Sequence, residues 1–364
     1  MCLNQCSVER GDALALFCRL VPQHLRRSFF RTLRRIIERR DGVVTVITRL
    51  GVEIVGQKLL AAIELAAIER AEQLGIQAAW MTTGGARLDS ITTFAAAALR
   101  TQHIFLGTSI VPTFPRHPQV VAQQTQVVAQ LAPGRFRLGL GPSHRPSMQA
   151  MGIHLTSPLG HLREYLRICK ALLQQGRVDF DGTYYTAHGA IAEPLDVPVM
   201  ASALQRGSYE LCGEEADGAI SWVCPGLYLR DVALPAMHAG AERAGRPVPP
   251  LIAHAPVCVH ENADEVRGAV REQLATYPRL PFYQRMLIAA GFSEVANNTW
   301  SDRMIDAVVL WGNEARVEER LQELLSFGAT EILVSPVAAG SNRTVSLDRT
   351  MRLLGRTAQA VAKA

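Results

Sequence analysis

No uncharged apolar run in this sequence approaches the ~20 residues that a membrane-spanning helix needs, so no such helix is expected. The apolar stretch nearest the start, ALALFCRLV, is short and runs into arginines rather than a small-residue cleavage site, which argues against a signal peptide. Cysteine is sparse: the seven, at positions 2, 6, 18, 169, 212, 224 and 258, are odd in number and contain no C-x-x-C pair. Cys2 and Cys6 have metal-like proximity but no second pair of ligands at the right spacing. Those beyond residue 160 sit in apolar surroundings and read as buried free thiols in a reducing cytoplasm. No serine–histidine–acid order, paired-carboxylate spacing or metal triad stands out, so none of those chemistries, and no metal, is expected. Internal repeats and low-complexity linkers are missing too.

Net charge is nearly absent outside one segment. Residues 1–40 hold nine Arg and three acidic residues, whereas residues 41–364 hold 29 basic and 30 acidic groups. The formal charge of +5 is therefore a property of HLRRSFFRTLRRIIERR and not of the remaining chain. On a helix, Leu25, Phe29, Phe30, Leu33, Ile36 and Ile37 of this segment gather on one side against arginines on the other. Such a helix could lie on an acidic membrane or on nucleic acid. The plainer reading is a basic N-terminal extension at 1–41, partly helical or disordered, ahead of one domain at 42–364. No basic patch interleaved with aromatics follows it, so neither nucleic acid nor membrane is expected as a partner.

What is present is an alternation. Short β-branched or apolar runs at 43–48, 76–82, 103–111, 135–141, 197–203, 218–224, 250–260 and 331–337 read as strands. Amphipathic stretches follow them, with Asp89 or Ser90 capping one helix, Pro118 opening another and Gly75 closing the first. Residues 178–187 resemble a small hairpin, and 262–310 hold helices and an irregular excursion. With 48% hydrophobic and 20% charged residues, the 364-residue chain can cover eight strands on both faces. The fold expected is a (β/α)8 barrel of the TIM type with insertions. A doubly wound open sheet is the alternative, but its first strand–helix turn lacks the glycine fingerprint.

In a barrel, chemistry collects where strands end. After the third strand comes TSIVPTFPRHP, with Arg116 and His117 just before a helix N-terminus. GRFRLGLGPSHRP closes the fourth strand. Gly139-x-Gly141-x-x-His144 fails the dinucleotide pattern at its third glycine, and Pro142 is poorly placed for one. SALQRGS after the fifth strand offers small residues and Arg206 at a helix start, suited to an anion. SWVCPG after the sixth supplies Trp222 as an aromatic wall. Alone, His144 reads as a structural histidine and Arg206 as a solvated one.

The block LGTSIVPTFPRHPQVVAQQTQVVAQLAPGRFRLGLGPSHRPSM, with HLREYLRICKALLQQGRVDFDGTYY and PVMASALQRGSYELCGEEADG downstream, resembles the bacterial luciferase-like monooxygenase superfamily. It is most similar to the branch that uses the 5-deazaflavin coenzyme F420, over roughly residues 43–337. The resemblance implies a barrel with a reduced deazaflavin, or alternatively FMN, across the strand ends. It implies a non-prolyl cis peptide at Ser109–Ile110 behind the cofactor ring, with Thr108 beside it. Gly141, Ser143, His144 and Arg145 would border the ring or tail, and Ala203, Leu204, Gln205, Arg206, Gly207 and Ser208 would form the phosphate turn. Arg116, Arg145 and Arg206 would suit the acidic tail. His144 is the candidate for proton transfer, and Trp80 and Trp222 are candidate walls of the substrate pocket. The sequence departs from the family after its second strand, where an acidic or histidine residue is usual and Trp80, Thr82 and Thr83 stand instead. Its first strand also lacks the usual short apolar opening.

The leading expectation is thus an F420-dependent oxidoreductase passing a hydride to or from a small molecule, cytoplasmic and homodimeric. The alternatives are an FMN-dependent monooxygenase using oxygen, a non-catalytic flavin-binding protein, and a nucleic-acid or membrane protein led by its basic extension.

Overall fold

The computed structural model describes residues 49–53 and 61–363. The expected basic extension at 1–41 and the expected first strand at 43–48 lie outside the described residues.

Eight parallel strands close into a ring. They are β1 (Arg49–Glu53), β2 (Ala78–Met81), β3 (Phe105–Thr108), β4 (Phe136–Gly141), β5 (Val199–Ser202), β6 (Ala219–Trp222), β7 (Leu251–Val259) and β8 (Glu331–Pro336). Each pairs with the next, and β8 returns to β1 in the register Arg49↔Glu331 through Val52↔Val334. The outer layer comprises α1 (Ala61–Gln73), α2 (Ser90–Ala98), α3 (Pro118–Leu131), α4 (Arg145–Gln149), α5 (Pro158–Gln175) and α6 (Arg206–Glu215). It continues with α7 (Leu234–Arg243), α8 (Ala263–Gln273), α9 (Pro281–Ala289), α10 (Asp302–Val308), α11 (Glu314–Ser326) and α12 (Arg343–Lys363). This is the (β/α)8 barrel that the alternation implies. Two insertions decorate it: an antiparallel hairpin, Arg177–Asp181 with Thr186–Ala190, and the segment between β7 and β8.

Local chemistry sets the element ends. Asp89 caps α2 by accepting the Thr92 N–H at 2.9 Å, and Pro118 occupies the first turn of α3. Gly75, at φ 81°, turns the chain after α1 as only glycine does cheaply. The third strand is shorter than the run 103–111 suggests: it ends at Thr108 and pairing resumes only at Val111–Pro112, with a cis peptide at Ser109–Ile110 between them.

Every residue of β4 and β7 is buried, as strands covered on both faces must be. The larger apolar shell lies between strands and helices. A smaller one fills the barrel itself: Ala78, Trp80, Met200, Ile220, Ile252 and Leu333. Below it, at the N-terminal strand ends, Arg137 and Glu331 form a buried ion pair at 2.7 Å, with the guanidinium 5.1 Å from the Phe105 ring centroid. Thus the barrel is plugged from its floor to its middle, and its open chemistry lies at the strand C-termini.

Candidate active site

Glu53 ends β1 with its carboxylate at the mouth, only 12% exposed. Its Oε2 accepts the Ser335 hydroxyl of β8 and lies 3.3 Å from His254 Nε2 of β7. The same imidazole nitrogen is 3.2 Å from Ser335 Oγ. On the other side Thr82 Oγ1, just past β2, is 2.7 Å from Glu53 Oε1 and 2.6 Å from the Ser109 carbonyl oxygen. Burial pushes the Glu53 carboxyl up, but the hydrogen bond and charge of His254, then Ser335 and Thr82, outweigh it and bring it down to about 2. Four strands thus converge on one carboxylate.

An aromatic wall stands beside this knot. The Trp222 ring, at the end of β6, lies 4.1 Å from the His254 ring and 5.7 Å from Tyr277. Tyr277 contacts Tyr283 at 4.9 Å, and His144 packs edge-on against both, at 6.1 and 5.7 Å. Tyr277 and Tyr283 come from the segment after β7, so that segment reaches the loop after β4. Burial, and next the Glu53 charge, push the Tyr277 phenol up to about 12. Burial lowers His144, which favours its neutral form near pH 7.

The remaining expected positions separate into tied and available groups. Thr108 exchanges two hydrogen bonds with Gly139, at 2.8 and 2.7 Å, and is fully buried. The Ile110 carbonyl accepts the Thr83 N–H. Gly141 leaves no space for a ring, because an added Cβ would meet Ser202 Oγ at 2.3 Å and Ile110 at 3.0 Å. Gly139 is likewise filled, by the Thr108 carbonyl at 1.9 Å. These glycines let neighbouring strands approach one another. Trp80 does not line an open pocket: it is fully buried in the barrel interior, where the Arg137 guanidinium lies 5.7 Å from its ring. Two of the three arginines expected for an acidic tail are engaged elsewhere, Arg116 with Asp89 and Arg206 with Glu210.

Available groups remain. Ser109 Oγ is buried with no hydrogen-bond partner. Ser143, at φ 61°, leads into His144, and Arg145 is exposed with no ion pair to a described residue. After β5, the N–H groups of Leu204 and Gln205 donate to Ser208 Oγ at 2.9 and 3.0 Å, while Ala203 is buried. The next N–H groups, of Arg206 and Gly207, open α6 with no carbonyl behind them in the helix, as a helix start that could take an anion requires. An orphaned hydroxyl, a free cation, an aromatic wall and a helix start fit a flat anionic cofactor. Among the described residues no cluster of His, Cys, Asp and Glu could hold a metal, and no helix is long and apolar enough to cross a membrane. A groove of about 720 Å³ lies away from the mouth, and its Arg167 and Lys170 are already paired with Glu215 and Asp217.

Sequence reasoning did not single out Glu53, His254 or Ser335. The available signal was RLGVE as a strand ending in a carboxylate, which placing the first strand at 43–48 obscured.

Comparison with known proteins agrees with this fold. The 5,10-methylenetetrahydromethanopterin reductase of Methanolobus tindarius is 27% identical over 299 residues, 76% of this chain and 91% of that protein. An F420-dependent secondary alcohol dehydrogenase, solved with an F420–acetone adduct, superposes with a TM-score of 0.70 at 18% identity, covering 84% of this chain and 98% of that one. The FMN-bound oxygenating component of 3,6-diketocamphane monooxygenase from Pseudomonas putida gives a TM-score of 0.66 at 16% identity, covering 87% and 98%. The family model for luciferase-like monooxygenases matches residues 44–331, and the chain belongs to that family.

Proposed function

We propose that this protein is an oxidoreductase that moves a hydride between coenzyme F420 and a small organic substrate. The observation that carries the reading is the buried carboxylate–imidazole–hydroxyl knot at the barrel mouth, set beside an aromatic wall. The methanopterin reductase relative, which spans most of this chain, supports the same chemistry. When bound, F420 supplies or accepts the hydride at a ring carbon, and the protein must orient that carbon and manage one proton. Ser109, Ile110, Ser143, His144 and Arg145 would border the ring and tail, with Thr108 and Gly141 supporting them from beneath. Ala203 to Ser208 would hold the phosphate. Trp222 and Tyr277 would bound a flat, partly apolar substrate. Glu53 replaces His144 as the better proton-transfer group, since burial disfavours the charged form of that imidazole.

Residues 42–364 would form the single catalytic domain, with 1–41 as an appended basic segment. The four described cysteines are buried thiols, which suits a reducing cytoplasm. A homodimer is supported by α3, PQVVAQQTQVVAQL, which carries no charge and exposes Val120, Val127 and Leu131.

FMN remains the competing cofactor because the FMN-bound neighbour shares the fold. Titration of the purified protein with reduced F420 and reduced FMN, following absorbance and oxygen uptake, decides between them. Tight F420 binding without oxygen consumption is expected, and FMN-linked oxygen uptake would overturn the assignment. Binding without turnover across a substrate panel would indicate a non-catalytic flavin-binding protein.

A further inference from the structure

The hydroxyl of Ser335 has one hydrogen and two close neighbours. It donates that hydrogen to Glu53 Oε2, so its contact with His254 Nε2 at 3.2 Å requires the hydrogen of the imidazole. The arrangement is directional: Nε2–H points to Oγ, and Oγ–H points to the carboxylate. On the far side Thr82 Oγ1 has one hydrogen for two acceptors, Glu53 Oε1 and the Ser109 carbonyl oxygen. It can serve both states of Glu53. When Oε1 carries a proton and donates it to Thr82, Thr82 turns to Ser109; when Glu53 is ionised, Thr82 turns to Oε1.

We propose that His254, acting through the Ser335 hydroxyl, is the positioning residue that holds the proton Glu53 delivers, with Thr82 as the rotor that accommodates both states. This rests on the reading that hydride chemistry takes place over the barrel mouth. Glu53 is ionised at rest, so the proton begins on His254 Nε2. In the reducing direction the Ser335 oxygen takes that proton, Ser335 passes its own to Glu53 Oε2, and Glu53 gives one to the heteroatom beside the substrate carbon that takes the hydride. The carboxylate ends ionised, as it began, and the imidazole regains one proton from water. Overall one hydride comes from the reduced cofactor and one proton from water, and nothing else is consumed.

The groups facing Glu53 support this assignment. His254 reaches it from β7, Ser335 from β8 and Thr82 from β2, while Tyr277 faces it from the segment after β7, with Arg87 acting on Tyr277 in turn. Tyr277 is held in its neutral form and Arg87 is exposed, so the imidazole is the titratable partner in direct contact with the carboxylate. Trp222 covers its ring at 4.1 Å.

The test uses the ligand-free full chain, so it stands whether or not F420 proves to be the cofactor. Infrared titration follows the carboxylic-acid band of Glu53, identified by its loss in Glu53→Gln. At pH 5 the wild type should lack the band and His254→Gln should show it, because the largest influence opposing burial is then gone and only Ser335 and Thr82 remain. Ser335→Ala keeps the imidazole and carries the test if His254→Gln does not fold. It should raise the Glu53 band's midpoint, since the Ser335 hydroxyl helps hold that carboxyl down. An acid band in the wild type equal to that of His254→Gln, or a midpoint unmoved in Ser335→Ala, would overturn the proposal.

Discussion

Replacing Gly107 with alanine tests which way Trp80 faces. A Cβ at Gly107 on β3 would stand 2.4 Å from the indole, and one at Gly51 on β1 would stand 2.5 Å from its Nε1. The ring is therefore held between two side-chain-free positions on the neighbouring strands and has nowhere to retreat. Ordinary carbon contacts lie at about 3.5–4.0 Å, so the added methyl overlaps the ring by more than an ångström. Overpacking of this kind costs about 1–3 kcal/mol, and a ring pinned from both sides puts Gly107→Ala near the upper end. Trp80→Ala empties the same volume and costs about 3–5 kcal/mol. In the double variant the methyl meets open space, so its penalty should shrink by about 2 kcal/mol relative to the sum of the singles. Urea-unfolding midpoints of the wild type, both singles and the double measure this. Strict additivity would refute the placement. A change in substrate KM for Trp80→Phe, at unchanged stability, would return Trp80 to the pocket wall.

Other expectations follow from the same contacts. Glu331→Ala strands a buried guanidinium and should cost about 3–5 kcal/mol, most of it recovered in Arg137→Met with Glu331→Leu, as read by the same unfolding curves. Burial brings His161 down to about 4, below its usual 6.5, so the native state resists its protonation. Stability should be intact above about pH 6.5 and fall by about 3 kcal/mol toward pH 4, a loss that His161→Gln should abolish in pH-dependent melting. Ser208→Asp keeps an acceptor for the Leu204 and Gln205 N–H groups, so the fold should persist while F420 affinity falls at least tenfold in a fluorescence titration; unchanged affinity would refute the phosphate turn. Val127→Lys on α3 should shift the sedimentation coefficient from dimer to monomer, and an unaltered dimer would move the interface elsewhere.

The barrel was legible because period-2 and period-3.6 patterns are local, and strands such as LIAHAPVCV announce two-sided burial in their composition. For the site, the sequence offers candidates only where they sit in a contiguous stretch, as in TSIV, GPSHRP and ALQRGS. Glu53, Thr82, His254 and Ser335 are separated by 29 to 282 positions along the chain and meet only through strand register, which one sequence does not disclose. The two glycines of GRFRLGLG were misleading for a related reason. Their vacancy faces Thr108, Ile110 and Ser202, and residue type alone does not say what occupies the space beside a glycine. Arg116 and Arg206 looked free because their acidic partners lie 27 and 4 residues away and carry no motif.

The indole of Trp80 and the Arg137–Glu331 pair beneath it make the barrel axis a dead end. Among the described residues the axis offers water no route from the floor to Glu53, so a proton consumed there would enter by the mouth, the opening proposed for substrate and cofactor. Traffic would then be ordered: a bound ligand would seal the proton supply, and one turnover would run on the proton already stored. Rate should consequently be sensitive to the isotope of the solvent in which the free enzyme recharges, and insensitive to it once the ligands have closed the door.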